Sequence, residues 1–280
     1  MDTSPLTPGL YIVATPIGNL GDITARAIAV LAACDLIAAE DTRVTGGLLR
    51  HLGLKRPMTP YHDHNADAVR PGLVARLATE AIALVSDAGT PMISDPGFKL
   101  VRDARASGRA VVTIPGPCAA IAGLTLAGLP TDRFLFAGFL PVKPGARAAA
   151  IAEVAGVRAT LVFYESGPRL ARTLTALSEG LGDRPVTIAR EITKMHEEAV
   201  VGTLGGLATR YEDAPPKGEI VIVVGPPVSP TVASDDMLDA ALDAIATIIP
   251  LKEASTIVAE RLNLPRRLVY ARLLTRRAET

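Results

Sequence analysis

Residues 85–97 read VSDAGTPMISDPG: two aspartates, two serines, a threonine, two glycines and two prolines, directly after the apolar run AIALV. Three chemistries could use such a loop. A phosphate cradle of the P-loop kind ends in Gly-Lys-Ser/Thr, and no lysine follows here until Lys99. A hard cation could use Asp87 and Asp95, but no third carboxylate or imidazole stands near them in sequence, so no metal is expected. What remains is a loop at the carboxyl end of a strand, where open α/β sheets bind ligands. Its glycines let backbone come close to a ligand, and Asp87 and Ser94 could receive ribose hydroxyls or an amine. The plainer use of Asp95 is an Asx-turn before Pro96, capping the next helix.

Other stretches carry weaker signals. PIGNLGD (residues 16–22) lies where a dinucleotide fingerprint would, yet only Gly18 and Gly21 are present, so a tight turn is the plain reading. PGPCAA (115–120) repeats the order strand, Gly/Pro turn, helix; a helix start with small side chains admits a flat ring or a carboxylate. AAEDTR (38–43) ends a strand with two carboxylates and Arg43. His62 and His64 in HDHN have no third ligand and read as a solvated turn. FYES (163–166) and REITKMHEE (190–198) put charges directly after apolar strands, where surface ion pairing is the default. Cys34 and Cys118, the only cysteines, lack metal or redox spacing and read as buried thiols.

The elements that must position these residues alternate at first. YIVAT, LIAA, MTPY, AIALVS and AVVTI read as strands, with helices over ITARAIAVLAA (Asp22 as its N-cap), after EDTR, over ADAVRPGLVARLA, over FKLVRDARASG and after PGP. That alternation predicts a mainly parallel α/β sheet. A break falls near 129–132. Beyond it FLFAGFL, TLVFY, VTIAR, AVVG and EIVIVV crowd together as five strands, with helices over 146–155 and after TLVFY, which predicts an α+β domain with a mixed sheet. GPPVSP (225–230) reads as a linker. The tail from Asp235 reads as helical, ending as helix, turn at Asn263–Leu264, Pro265 in the first turn, and helix. The expected domains are 1–129, 130–228 and 229–280.

With 280 residues the chain is long enough for more than one core. Lys plus Arg (29) balances Asp plus Glu (29), so a nucleic-acid partner would need a local basic patch. From Lys252 onward there are seven basic and three acidic residues. The N-terminus has no basic-then-apolar signal pattern, and the longest apolar run is too short to span a bilayer, so a cytoplasmic chain with no membrane partner is expected.

TPIGNLGDIT, LIAAEDTR, HDHN, LVSDAGTPMISDPG, IPGPCAA, GLPTDRFLFAGFLP, FYES, REITK and KGE, in that order, resemble the RsmI family of bacterial 16S rRNA ribose 2′-O-methyltransferases, within the tetrapyrrole methylase superfamily. The tail resembles that family's helix-turn-helix-like extension more loosely. The resemblance implies two α/β domains with S-adenosylmethionine between them, a homodimer, and 16S rRNA of the 30S subunit as substrate, methylated at a cytidine in the decoding region. By motif, the cofactor contacts would be Pro16, Asp87, Ala88, Gly89, Thr90, Ile93, Cys118, Ala119, Tyr164, Glu165, Ile192 and Gly218 within Lys217–Glu219. Members commonly carry a histidine before the arginine that follows FYES; here Pro168 stands before Arg169. The 2′-hydroxyl needs a proton acceptor. Glu165 and Lys194 are candidates, Lys194 only if burial or a neighbouring cation lowers its pKa; His62 is a third. Arg43, Arg169, Arg190 and Lys194, with Arg266, Arg267 and Arg272 on the tail, could meet RNA phosphates; a solvated helix face is the plain reading of the tail arginines. A precorrin-type tetrapyrrole methyltransferase, and a non-catalytic RNA-binding protein that keeps the cofactor as a structural ligand, are the competing readings.

Overall fold

The computed structural model describes residues 6–227, 235–245, 249–262 and 264–278. The chain divides into two compact units, residues 1–226 and 227–280. In the first unit β1 (Gly9–Val13), β2 (Leu36–Ala39), β3 (Met58–Pro60), β4 (Ala81–Val85) and β5 (Val111–Ile114) form a sheet in the order β3-β2-β4-β1-β5, with every pair parallel. Apolar runs without alternation suit such a sheet, because both faces are covered. Alternate residues divide between two cores: Ala81, Ala83 and Val85 meet α1 (Ala25–Ala33) and α2 (Thr42–His51), while Ile82 and Leu84 meet α3 (Ala66–Arg76) and α4 (Phe98–Ala106).

The N-cap of α1 is Thr24, whose hydroxyl accepts from the Ala27 N–H at 3.1 Å, and not Asp22. Asp22 closes a short 3-10 turn, Leu20–Asp22, begun by Asn19. That turn takes up the polar residues expected to start the helix.

The second sheet has β6 (Phe134–Phe139), β7 (Thr160–Ser166), β8 (Pro185–Arg190), β9 (Glu198–Thr203) and β10 (Glu219–Val224), in the order β6-β7-β10-β8-β9. Only β6–β7 is parallel. Ile220, Ile222 and Val224 face a core shared with α6 (Pro144–Ala155), α7 (Leu170–Leu181) and α8 (Leu204–Glu212). Helix α8 was not legible in the sequence, because LGGLATRYE carries two glycines in its first turn; Thr203 starts it by accepting from the Gly206 N–H. Val221 and Val223 face the other way, onto α5 (Ala119–Leu126). Helix α5 follows the first sheet in the chain but packs on the second, so it joins the two. Its Gly123 allows this: a Cβ there would lie 2.6 Å from Val221 Cγ1.

In the second unit α9 (Asp235–Asp243), α10 (Leu251–Leu262) and α11 (Arg266–Ala278) share a core of Leu238, Leu242, Val258, Val269 and Leu273. The Leu264 N–H returns to the Ala259 carbonyl and closes α10, and Pro265 immediately precedes α11. Residues 228–230 of the linker and Asn263 of the turn lie outside the described residues. Among the described residues, no helix is long and apolar enough to cross a membrane.

Candidate functional site

The carboxyl ends of β1, β2, β4 and β5 open on a cavity of about 430 Å³ whose other wall is the second sheet. That volume is within the range of small-molecule sites. The β4–α4 loop contributes most, through Asp87, Ala88, Gly89, Thr90, Ile93, Ser94 and Asp95. Neighbouring loops fix its path. Thr15 and Gly89 exchange backbone hydrogen bonds at 2.9 and 3.0 Å, and the Thr90 hydroxyl donates to the Pro117 carbonyl at 2.9 Å. Gly89 sits at φ 82°, where a side chain would be strained. Met92 and Ser94 adopt φ 74° and 68° despite having side chains. Such backbone persists only where the surroundings enforce it, and it is concentrated at functional loops. The chain enters α4 through Gly97 at φ 138°, with no side-chain cap. Asp95 therefore does not cap α4 as the Asx-turn reading expected, and it stands in the cavity wall instead.

One end of the cavity is acidic. Glu40, one residue past β2, accepts from the Asp87 N–H at 3.2 Å, and Asp87 accepts from the Asp41 N–H at 3.0 Å. Burial raises both carboxyls above their ordinary range, against these backbone hydrogen bonds. Burial pushes Asp95 up to about 6; the Ser86 hydroxyl opposes this, while the charges of Glu40, Asp87 and Asp63 add to it. An end built this way suits a ligand carrying hydroxyl donors or positive charge.

The opposite wall comes from Phe139, Tyr164, Glu165, Ser166, Ile192, Lys194, Glu219, Ile220 and Val221. Tyr164 ties the walls together: its hydroxyl accepts from the Ala120 N–H at 3.0 Å, beside Cys118 and Ala119 at the start of α5. Its ring meets Phe136 and Phe139 edge-on at 4.9 and 5.5 Å. Burial raises its phenol well above the ordinary value.

Glu165 is 3% exposed, and its carboxylate is taken up by the protein. It accepts from the Thr173 hydroxyl at 2.7 Å and the Ser166 N–H at 2.8 Å, and pairs with Arg169 Nε at 3.1 Å. Arg169 Nη2 continues to the Leu140 carbonyl at 2.6 Å, so this network braces the ends of β6 and β7. Lys194 Nζ lies 3.0 Å from Glu191 and 2.9 Å from Glu219, and its stem crosses Gly18 of the β1 loop. Burial acts to lower its pKa, but the two carboxylates outweigh that and leave it raised. The lysine is held as an ammonium ion.

The remaining candidates lie elsewhere. Pro16 stands next to the wall residue Ile17 but does not line the cavity. Gly218, at φ 98°, is behind the wall, where any Cβ would strike the Glu191 carboxylate. Arg43 is exposed and pairs with Asp41 at 2.6 Å; Arg190 pairs with Glu198 at 3.0 Å. His62 is outside the wall, with its Nδ1 buried and unpaired. On the tail, Arg272 clamps α11 to Asp239 at 2.7 Å, whereas Arg266 and Arg267 are exposed, Arg266 reaching the Lys252 carbonyl at 3.2 Å. Among the described residues no group of three or more His, Cys, Asp or Glu could hold a metal ion. Sequence reasoning passed over Ile17, Glu40 and Phe139 as wall residues. Glu40 had a usable signal, since it directly follows the apolar strand LIAA.

A parallel sheet and a mixed sheet sharing one cavity, reached through loops without a Gly-x-Gly-x-x-Gly turn, define the class of protein. Residues 9–208 match the family of tetrapyrrole (corrin/porphyrin) methylases, and residues 232–277 match the RsmI C-terminal HTH domain. The chain is 56% identical over 273 residues to ribosomal RNA small subunit methyltransferase I of Erythrobacter litoralis, covering 96% of each chain. It is 49% identical to the protein of that name from Mesorhizobium japonicum, covering 96% of this chain and 92% of the other. A solved uroporphyrin-III C-methyltransferase of Thermus thermophilus, complexed with S-adenosylhomocysteine, shares the fold at TM-score 0.53 and 20% identity, over 78% of this chain and 97% of that one. The chain belongs to the ribosomal RNA small subunit methyltransferase I family of the tetrapyrrole methylases.

Proposed function

We propose that this protein transfers a methyl group from S-adenosylmethionine to the 2′-oxygen of a ribose in 16S rRNA, at a cytidine of the decoding region, with the 30S subunit as substrate and a homodimer as the working form. The observation that carries the reading is 56% and 49% identity, over nearly the full length, to two proteins named for small-subunit rRNA methylation. The cavity fits the donor. Glu40 and Asp87 at its acidic end offer acceptors to ribose hydroxyls and to an ammonium group, and much of the remaining wall is backbone, aliphatic and aromatic surface.

S-adenosylmethionine, when bound, supplies an activated methyl group. The residues that would hold it are Asp87, Ala88, Gly89, Thr90 and Ile93 from the β4 loop, Cys118 and Ala119 at the start of α5, and Tyr164 and Ile192 opposite. Pro16 and Gly218 act one layer back, Pro16 through Ile17 and Gly218 by leaving room for Glu191. Orientation supplies most of the rate in a methyl transfer, because three atoms must lie in line. The Thr15–Gly89 tie fixes the β4 loop and the Tyr164–Ala120 tie holds the opposite wall to the start of α5, which keeps the walls in register for that purpose. Glu165 holds Arg169, and the Lys194 ammonium is suited to steady an RNA phosphate or the attacking oxygen. Arg43, Arg190, Arg266 and Arg267 are further phosphate contacts. The three-part organisation 1–129, 130–228 and 229–280 then separates donor, acceptor and docking roles.

The deciding experiment is transfer of labelled methyl from S-adenosylmethionine to 30S subunits lacking the modification, with the product nucleotide mapped by mass spectrometry. Transfer to a base or to a tetrapyrrole, or none, would overturn the reading.

A further inference from the structure

We propose that Asp95 is the proton acceptor for the attacking ribose hydroxyl, an inference that rests on the methyl-transfer reading above. The other four carboxylates of the cavity wall are already engaged. Glu40 is engaged by the Asp87 N–H, Asp87 by the Asp41 N–H, Glu219 by Lys194, and Glu165 by Thr173, Ser166 and Arg169. Asp95 has beside it the Ser86 hydroxyl, which also reaches the Ala88 carbonyl at 3.4 Å, but among the described residues no backbone N–H and no cation holds it. It does not cap α4, and it is carried on backbone that Met92 and Ser94 hold in the left-handed region. A side chain that serves neither the helix nor an ion pair, on a strained loop in the cavity, is placed for chemistry.

Its surroundings match the task. Glu40 from the β2 loop and Asp87 from its own loop share the cavity wall with it, and their charges, with that of Asp63 on the β3–α3 loop, disfavour a further negative charge; Tyr164 from β7 lines the same cavity as an un-ionised phenol. Burial acts the same way. The carboxylate is thus a stronger base than an exposed aspartate, and it is still ionised at neutral pH. Lys194, held as ammonium, cannot accept the proton. In the step itself the 2′-oxygen forms a bond to the methyl carbon and the carbon–sulfur bond breaks. That bond's electron pair stays on sulfur, which becomes neutral. The hydroxyl proton passes to the Asp95 carboxylate and from there to water.

The test compares the unsubstituted protein with Asp95→Asn and Asp95→Glu. Single-turnover methyl transfer to unmodified 30S subunits is measured from about pH 5 to pH 8. Cofactor affinity is measured by calorimetry. Aspartate carboxyl carbons are followed by NMR in the ligand-free chain. The unsubstituted rate should rise through about pH 6 and level off, and one carboxyl resonance absent from Asp95→Asn should titrate there. Asp95→Asn should lose roughly a hundredfold or more in rate and lose the pH-dependent limb, with cofactor affinity within about threefold. Asp95→Glu should restore part of the rate. Retention of rate and limb in Asp95→Asn, loss of cofactor affinity together with rate, or no resonance titrating near that pH would each overturn the proposal. No transfer by the unsubstituted protein would overturn the methyl-transfer reading and this proposal together, whereas normal transfer with an indifferent Asp95→Asn removes Asp95 alone.

Discussion

Asp95→Asn should make the folded chain more stable at alkaline pH while removing its activity. Asp95 is raised from 3.8 to about 6 in the folded chain, burial being the first cause. The folded protein therefore holds this proton more tightly than the unfolded chain does. Stability falls as pH rises from about 4 through 6, the reverse of an ion-paired carboxylate. Above that window, keeping the group ionised costs up to ~3 kcal/mol; partial exposure and solvent screening reduce this to ~1–2 kcal/mol. Asparagine has nearly the same shape and no charge, so it removes the cost. With an m-value of roughly 3 kcal/mol per molar urea, the unfolding midpoint of the first unit should rise by ~0.5 M at pH 8 and change little at pH 4. Far-UV circular dichroism during urea titration at both pH values is the assay. A difference that does not depend on pH, or a variant less stable at pH 8, would refute the reasoning that this carboxylate is held ionised against its environment.

Gly123→Ala should destabilise the first unit by ~1–3 kcal/mol, although glycine to alanine inside a helix ordinarily stabilises, because the new methyl overlaps Val221; urea unfolding gives the sign. Glu165→Gln should cost ~1–3 kcal/mol, since Arg169 loses its charged partner inside the β6–β7 brace, and a double-substitution cycle with Arg169→Met should show the two effects to be coupled. On the tail, Arg272→Ala should lower the thermal stability of residues 227–280 by freeing α9 from α11, whereas Arg267→Ala should leave stability unchanged and weaken 30S binding, with a shallower dependence on salt.

The strands were the most legible part of this fold. LIAA and AIALV are apolar without alternation and stand as β2 and β4 of a sheet covered on both faces. EIVIVV reads the same way, although its alternate residues serve two different cores. Helices were legible even without a side-chain cap, as for α4, α5 and α6, whereas the capped α8 was obscure. Helix α8 begins Leu-Gly-Gly, and the Thr203 cap, the Asp183 acceptor for the Gly205 N–H and packing on α7 compensate for that weak start. The cap of α1 was misplaced by two residues because Asp22 and Thr24 are both good caps, and the Asn19 turn had already taken Asp22. No local pattern could show that α5 crosses to the second sheet. Its sequence, AAIAGLTL, is apolar on every side, so burial could not be assigned to one face, and Gly123 becomes informative only once Val221 is opposite.

The site shows the same division between what residue type reveals and what partnership decides. The loops after β1, β4 and β5 could be named because polar and small residues follow apolar strands, and those loops do converge on one cavity. The identity of the residue that moves a proton could not be read that way. Glu165 and Lys194 have suitable types and stand in the wall, yet each is already committed, one to Thr173 and Arg169 and the other to Glu191 and Glu219. Asp95 has the humblest sequence reading of the three, a turn residue before proline. It becomes the exceptional carboxylate only when Gly97 is found to start α4 without it. A general base needs an acceptor atom left within reach of the substrate proton, and which carboxylate keeps one open is decided by the fold and not by the sequence around it.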